Sequence, residues 1–310
     1  MTLTEATPTP HVTAAALFPV AVLALVWGCN WPVLKMGVSE IAPLTFRAVT
    51  LPFAGLGLLA LAAISGASLR IPRSLWVKVA LLALFNIAGW NGLLLFGVQQ
   101  LPAGRSAILA FTMPVWSVLF SLVLLHEPLS KRKFVGMALG VLGLGVLLGE
   151  DIRHIQRTPT AALFIVGAAI SWAFGTVLLR KWKLPVPQNA LSGWLMVVGW
   201  MPLAILAPFM APPGPTAMPS AGAWLAIFYN IFLAGTFAHW AWFTLARTLP
   251  VAISSMSSLP VPIVGVFAGM LVLGERPGVP EWTALALVVA AMIAVLWTPK
   301  AQPAAPVLHR

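Results

Sequence analysis

The sequence predicts an all-α membrane protein in which ten transmembrane helices form two inverted five-helix repeats. Three observations predict it. Of the 310 residues, 60% are hydrophobic and only 8% charged. With a mean hydropathy of +0.96, the chain has too little polar surface to coat a water-soluble globule. Next, Leu101-Pro102, Ser106, Pro114 and Glu127 recur without a gap, 148 residues later, as Leu249-Pro250, Ser254, Pro262 and Glu275. Finally, five hydrophobic segments separate each landmark from its copy. An odd number of spans, once duplicated, must enter the bilayer from opposite sides, and inverted repeats of this kind recur in secondary transporters.

The spans follow from the intervals between charges. Uncharged runs cover 12–34, 48–69, 79–104, 106–125, 158–179 and 248–274, and most suit one helical crossing of roughly 20 apolar residues. The stretch 184–238 holds most of two crossings, with Pro208, Pro212, Pro213, Pro215 and Pro219 supplying the break. The fifth (about 132–149) and tenth (about 281–298) are the shortest and are repeat mates, which completes ten. The resulting organisation is an N-terminal tail over 1–15, a first repeat over 16–150, a second over 158–298 and a C-terminal tail over 299–310. Residues 1–13 lack the basic start and small-residue cleavage site of a secretory signal, so the first apolar run is expected to be a retained helix. Cys29 is the single cysteine, which excludes an intramolecular disulfide and a cysteine-cluster metal site.

Basic residues set the expected orientation. With a cytoplasmic N-terminus, inner loops and the C-terminal tail hold 12 of the 18 Lys and Arg. The outer side holds Lys35, Arg47, Arg105, Arg153, Arg157 and Arg276. This bias places both termini in the cytoplasm. It also accounts for the net charge of +11, since basic helix ends meet anionic headgroups. Nucleic acid is excluded as a partner because no basic, aromatic-interleaved soluble domain exists to bind it. The partners expected are the lipid bilayer and a small-molecule substrate, with the chain a monomer or a weak homo-oligomer.

The paired helices ending in Glu127-Pro128 and Glu275-Arg276 each contain a proline and precede a Gly/Ala-rich short span (Gly136, Gly140, Gly143, Gly145; Ala284, Ala286, Ala290, Ala291). They resemble the two EamA repeats of the drug/metabolite transporter superfamily. The opening Trp27-Gly28-Cys29-Asn30-Trp31 fits as well, and Trp172-Ala173-Phe174-Gly175 keeps part of it. The resemblance covers about residues 16–298. It implies a ten-helix carrier with a central cavity that moves metabolites or amino acids outward, in a cell inner membrane. The tryptophan-rich character adds a similarity to aromatic amino-acid exporters of the YddG type.

Fourteen tryptophans are too many for the interfacial belts alone. Trp76, Trp182, Trp224, Trp282 and Trp297 fall near predicted ends; Trp27, Trp31, Trp90, Trp116, Trp172, Trp194, Trp200, Trp240 and Trp242 fall further inside. A buried indole N–H needs a partner, which a wet cavity supplies, although aromatics are also ordinary packing material. Trp27, Asn30, Trp31 and Leu34 share one helix face, as do Asn86 and Trp90. The eighth span offers Tyr229, Phe232, Thr236, His239 and Trp240 at similar steps, with Trp242 beyond. Amides at bilayer depth favour the bundle interior, so Asn30, Asn86, Asn91 and Asn230 are candidates to meet a ligand or to bond between helices. The expected substrate-binding set is therefore Trp27, Asn30, Asn86, Trp90, Trp116, Trp172, Tyr229, His239 and Trp242. Pro114 and Pro262, placed symmetrically, are the expected hinges, and Ser254 to Ser258 ahead of Pro260 read as a packing seam or a flexible wall.

All seven acids lie in the tail or near predicted helix ends. Proton relays commonly use intramembrane Asp, Glu or His, which leaves His239, with Lys35 a marginal second. Facilitated diffusion is thus expected over strict proton antiport. Glu127 and Glu275 are expected to stabilise the starts of the fifth and tenth helices, where carboxylates suit the positive dipole end. No cofactor, metal or catalytic group is expected: the sequence has no G-x-x-x-x-G-K-[ST], no H-E-x-x-H and no G-x-S-x-G. Set against the amino-acid exporter are a proton-coupled exporter of other amphipathic metabolites or drugs and, from other classes, an intramembrane enzyme or a non-transporting sensor. In a Cys29→Ala background, Ser130→Cys should react with impermeant thiol reagents from the cytoplasmic side and Gly278→Cys from the outside. Labelling of both from one side would contradict the inverted arrangement.

Overall fold

The computed structural model describes residues 14–153, 159–211, 218–248 and 258–296, which are largely helical and contain no strand. Among the described residues, nine helices are long and apolar enough to cross a membrane: α1 (Phe18–Glu40), α2 (Pro43–Ile64), α3 (Arg73–Gln100), α4 (Ala103–Leu124), α5 (Lys131–Glu150), α6 (Thr160–Trp182), α7 (Gln188–Met210), α8 (Ala221–Trp242) and α10 (Val279–Leu296). Between the last two lies α9 (Pro260–Leu273), a shorter apolar helix. The landmarks Leu249, Pro250 and Ser254, like most of the serine cluster, fall outside the described residues. Large apolar side chains such as Phe53, Ile64, Ile205, Phe209 and Leu271 are exposed on the helix perimeter, as lipid contact requires.

The helices associate across the repeats more than within them. α2 packs most extensively on α7, α5 on α10, α1 on α9 and α8, and α3 on α6, with α4 lying against both α6 and α9. Exchanging the repeats maps this list onto itself, which is the mark of a pseudo-two-fold axis. Lipid tails are as apolar as leucine, so the contacts rest on close approach of small residues rather than on hydrophobic exclusion. A Cβ at Gly55 of α2 would stand 3.2 Å from the Gly193 carbonyl of α7, and one at Gly193 would stand 3.1 Å from that of Gly55. Gly136 of α5 meets the Ala291 carbonyl of α10 in the same manner, at 3.0 Å.

The repeat mates α4 and α9 end in the same turn. His126 (φ 55°) and Gly274 (φ 66°) are both left-handed, and the amide of the next residue in each case reaches back to the helix, Glu127 N to Ser121 O and Glu275 N to Gly269 O, both at 3.3 Å. Each bond reaches back six residues and closes the C-terminal end of its helix around the left-handed residue. The two glutamates then diverge, and neither does what the sequence led us to expect. The Glu275 carboxylate crosses the repeat interface to accept from the amides of Ala103 and, at 2.9 Å, Gly104, so it caps α4. The start of α10 is served instead by Glu281, which accepts from Gly278 N at 2.9 Å. Glu127 binds Lys133 (2.8 Å) and Arg180 (2.7 Å). The hydrogen bond from Lys133, assisted by the charge of Arg180, holds its carboxyl below the usual carboxylate range. Because the folded value is depressed, this cluster is intact at neutral pH and loosens only as acid protonates it.

Arg105, counted above among outer charges, is 2% exposed. It binds Glu150 and Glu281, each at 2.8 Å, and thereby joins α4, α5 and α10. Glu40 of α1 accepts from Ser220 N at 2.8 Å ahead of α8. One end of the bundle is thus laced across the repeats by Glu40, Arg105 and Glu275.

A left-handed conformation costs a non-glycine residue about 1–2 kcal/mol, part of which returns through the greater freedom of glycine in the unfolded chain. His126→Gly should therefore stabilise the protein by about 0.5–1 kcal/mol, read as a raised unfolding midpoint in detergent.

Candidate functional site

Two helices widen at equivalent places. α3 carries a π turn over Leu84–Gly89 and α8 one over Tyr229–Phe237; shifted by the repeat, the first covers 232–237, within the second. A π turn displaces carbonyls from the regular ladder and recurs at functional positions. In hydrocarbon those carbonyls need donors, and side chains provide them. Ala234 O accepts from Trp27 Nε1 (3.3 Å) and faces His239 Nδ1 (3.0 Å). Ile231 O accepts from Thr236 Oγ1 (2.8 Å), Phe85 O from Ser171 Oγ (2.8 Å) and Ile87 O from Asn91 Nδ2 (2.9 Å).

Most of the sequence-predicted residues gather at these two turns, in two groups. Trp27, Asn30, Tyr229 and His239 meet between α1 and α8. There the Trp27 and His239 rings stand edge to face at 5.5 Å, and Tyr229 OH donates to Val26 O at 2.8 Å. Asn230 Nδ2 donates to Asn30 Oδ1 at 3.1 Å. Trp242, half-buried, packs beside Trp27 around Leu23. Asn86, Trp90 and Trp172 meet between α3 and α6, with the two indoles 5.3 Å apart. Asn86 Nδ2 donates to Trp172 O (3.1 Å) and Thr176 Oγ1 (3.3 Å), while its Oδ1 is buried without a partner. Since α1 is the mate of α6 and α3 of α8, the groups are pseudo-symmetric half-sites.

Trp116 joins neither through a hydrogen bond. Its indole donates to Thr112 Oγ1 on its own helix at 3.3 Å. Trp194 and Trp200 donate to Leu69 O and Ala48 O, each at 2.8 Å, and so fasten α7 to the α2 side of the bundle. Pro114 follows a break in α4 at Phe111–Thr112, and Pro262 is buried near the start of described α9. An apolar cleft adjoins each half-site. One of about 340 Å³ lies among Phe85, Phe120, Gly167, Ile170, Ser171 and Phe174, and one of about 160 Å³ among Phe18, Pro19, Val22, Leu23, Phe237 and Ala241. Only the first reaches the roughly 300 Å³ at which small-molecule sites begin.

The sequence reading missed Arg47 as a site residue. It was counted as an outer charge, yet it is 6% exposed and donates from Nη1 to Asn230 Oδ1 at 3.0 Å. Its Nε is buried without an acceptor, and among the described residues no carboxylate pairs with it. The only hint in the sequence is its place one turn inside α2.

The profile of the EamA-like transporter family matches residues 14–149 and again 159–297. The chain belongs to this family. It is a multi-pass membrane transporter, not an enzyme. Among its relatives is the uncharacterized inner membrane transporter YedA of Escherichia coli K12, 30% identical over 287 residues that span 92% of both chains. Another is the S-adenosylmethionine/S-adenosylhomocysteine transporter of Chlamydia muridarum, 26% identical over 86% of each chain. One crystal structure aligns with a TM-score of 0.64 over 91% of this chain and 97% of its own, at 19% identity, a likeness of fold alone.

Within this EamA-like transporter, the α3/α6 half-site depends on glycine. A Cβ at Gly175 would lie 2.3 Å from Asn86 Oδ1, and Asn86 is held by two hydrogen bonds. Gly175→Ala should destabilise the protein by about 1–3 kcal/mol, the usual range for overpacking. Gly145→Ala, where nothing stands within 4 Å, should raise the unfolding midpoint slightly, because alanine is the better helix former.

Proposed function

We propose that this transporter exports aromatic or hydrophobic amino acids from the cytoplasm across the inner membrane, with both termini cytoplasmic, by alternating access and facilitated diffusion. The observation that carries the reading is the pair of half-sites at repeat-related π turns, each combining indole faces with amide groups. Trp27 with His239 and Trp90 with Trp172 would stack on the cargo side chain. Asn30, Asn86 and Tyr229 would orient its polar end, with Trp116 and Trp242 closing the apolar wall. Glu40, Arg105 and Glu275 support a resting state closed at the outer end. Rocking of one repeat on the other about Pro114 and Pro262 would release those contacts.

The absence of a carboxylate near either half-site among the described residues favours facilitated diffusion, because a proton relay would need one or would rest on His239 alone. A second reading of the cargo comes from the relatives named for S-adenosylmethionine and S-adenosylhomocysteine. Both compounds join an α-amino acid to a flat heteroaromatic ring, so the same stacking faces and amides would serve them.

Liposomes containing only this protein and loaded with labelled tryptophan should lose it down its gradient, at a rate that a protonophore leaves unchanged. A rate abolished by the protonophore would establish proton coupling, and no loss of any labelled amino acid would remove the amino-acid reading. In the same assay Pro114→Ala with Pro262→Ala should slow efflux several-fold; an unaltered rate would discard the hinge.

A further inference from the structure

We infer that Arg47, Asn230 and Asn30 form a carboxylate-binding site, the place where the transporter holds the acid group of its cargo. The inference rests on the amino-acid reading above, which names residues for the aromatic end but none with a positive charge for the acidic one.

The two deeply buried arginines of the described chain are treated differently. Arg105 meets two carboxylates, Glu150 and Glu281. Arg47 meets none, and its one hydrogen bond runs to a neutral amide oxygen. A guanidinium withdrawn from water and left without a counter-charge is costly, and ionisable groups at membrane depth mark substrate pathways. Beyond the Phe46 ring, 5.6 Å from its guanidinium carbon, and the Asn230 amide, nothing among the described residues offsets that cost, and an anion that comes and goes would.

Hydrogen-bond direction shows what the site offers. Asn230 accepts from Arg47 through Oδ1, so its Nδ2 turns to Asn30 and to the Ala226 carbonyl. The Asn30 atom facing Asn230 must then be Oδ1, which leaves the Asn30 amide N–H groups pointing away from the relay. On Arg47, Nη1 is spent on Asn230, while the Nε–Nη2 edge is unengaged among the described residues. That edge carries two parallel N–H groups with the spacing of a carboxylate. The relay therefore ends in donors from two helices, with the acceptors already used, which is the chemistry of an anion site. Trp27 lies three residues from Asn30 on α1, one helical step away, and His239 touches it. A single ligand with a carboxylate and an aromatic side chain would span the two.

The repeat mates lack this charge. The α3/α6 half-site has Asn86 and Thr176, with no cation among its hydrogen bonds. The site thus gives the carrier a polarity: the acid end of the cargo belongs to the α1/α2/α8 half, and an aromatic end can lie across towards α3/α6.

The test uses the full chain in nanodiscs and reads the unfolding midpoint during titration with three probes of one ring system: L-tryptophan, tryptamine, which lacks the carboxylate, and indole-3-propionate, which lacks the ammonium group. L-tryptophan and indole-3-propionate should stabilise the protein, and tryptamine should bind at least tenfold more weakly. Arg47→Gln should abolish the difference between tryptophan and tryptamine. Should that variant fail to fold, Arg47→Lys, which keeps the charge but not the fork, and Asn30→Ala should each weaken the two acids several-fold without affecting tryptamine. Equal stabilisation by tryptamine and tryptophan in the unaltered protein would overturn the proposal and leave Arg47 a clamp between α2 and α8. So would undiminished discrimination in Arg47→Gln. If none of the indoles binds, acetate and benzoate decide: stabilisation that Arg47→Gln removes keeps the site and discards the aromatic cargo, whereas no effect of either removes the site.

Discussion

Hydrocarbon offers the polypeptide backbone no hydrogen-bonding partner, so a helix that departs from its regular ladder inside the membrane must find donors on a neighbour. The π turns of α3 and α8 are two such departures, and the side chains that answer them include the tryptophan, histidine and serine residues around which the half-sites are built. Close packing follows from the same need. Ser171 reaches the Phe85 carbonyl only because Gly89 leaves it room, where a Cβ would stand 2.2 Å from its hydroxyl. The backbone requirement, the glycines and the placement of functional side chains are one arrangement.

Duplication supplied the frame and divergence supplied the chemistry. The pseudo-two-fold relates α1 and α8 to α6 and α3, and it reproduces a π turn, an indole and an apolar cleft on each side. It does not reproduce charge. The α1/α8 side holds Arg47 and the chain of amides to Asn30, whereas the α3/α6 side holds an asparagine whose Oδ1 is buried without a partner. The caps diverge in the same way. The turns at His126 and Gly274 share a backbone, yet Glu275 crosses to the amides at the start of α4 while Glu127 pairs with Lys133 and Arg180.

Much of the frame was legible in the chain. The spacing of charges located the spans, and helical periodicity brought Trp27 and Asn30 onto one face and Tyr229 and His239 onto another. Those two faces do meet. The site was less legible, for reasons of depth and direction. Arg47 lies so near the start of α2 that position alone reads as an interfacial charge; its burial is decided by Asn230, 183 residues away. The burial of Arg105 was hidden for the same reason, its partners being on α5 and α10. The nearest following helix seemed the natural target of Glu275, whereas the folded chain brings the start of α4 closer. The π turns left no trace in the sequence, since they answer to packing between helices rather than to local propensity.

By itself the sequence determined that the chain is a membrane protein of ten apolar helices, that it is a duplication, and that an odd repeat must invert. These are sums over segments, and hydropathy and length settle them locally. Only the tertiary structure decided how each helix is rotated, which carbonyls the π turns expose, which acids pair with Arg105 and that Arg47 pairs with none among the described residues. The physical reason is that burial and hydrogen bonding at membrane depth depend on what a distant helix presents, and no window of sequence contains both partners.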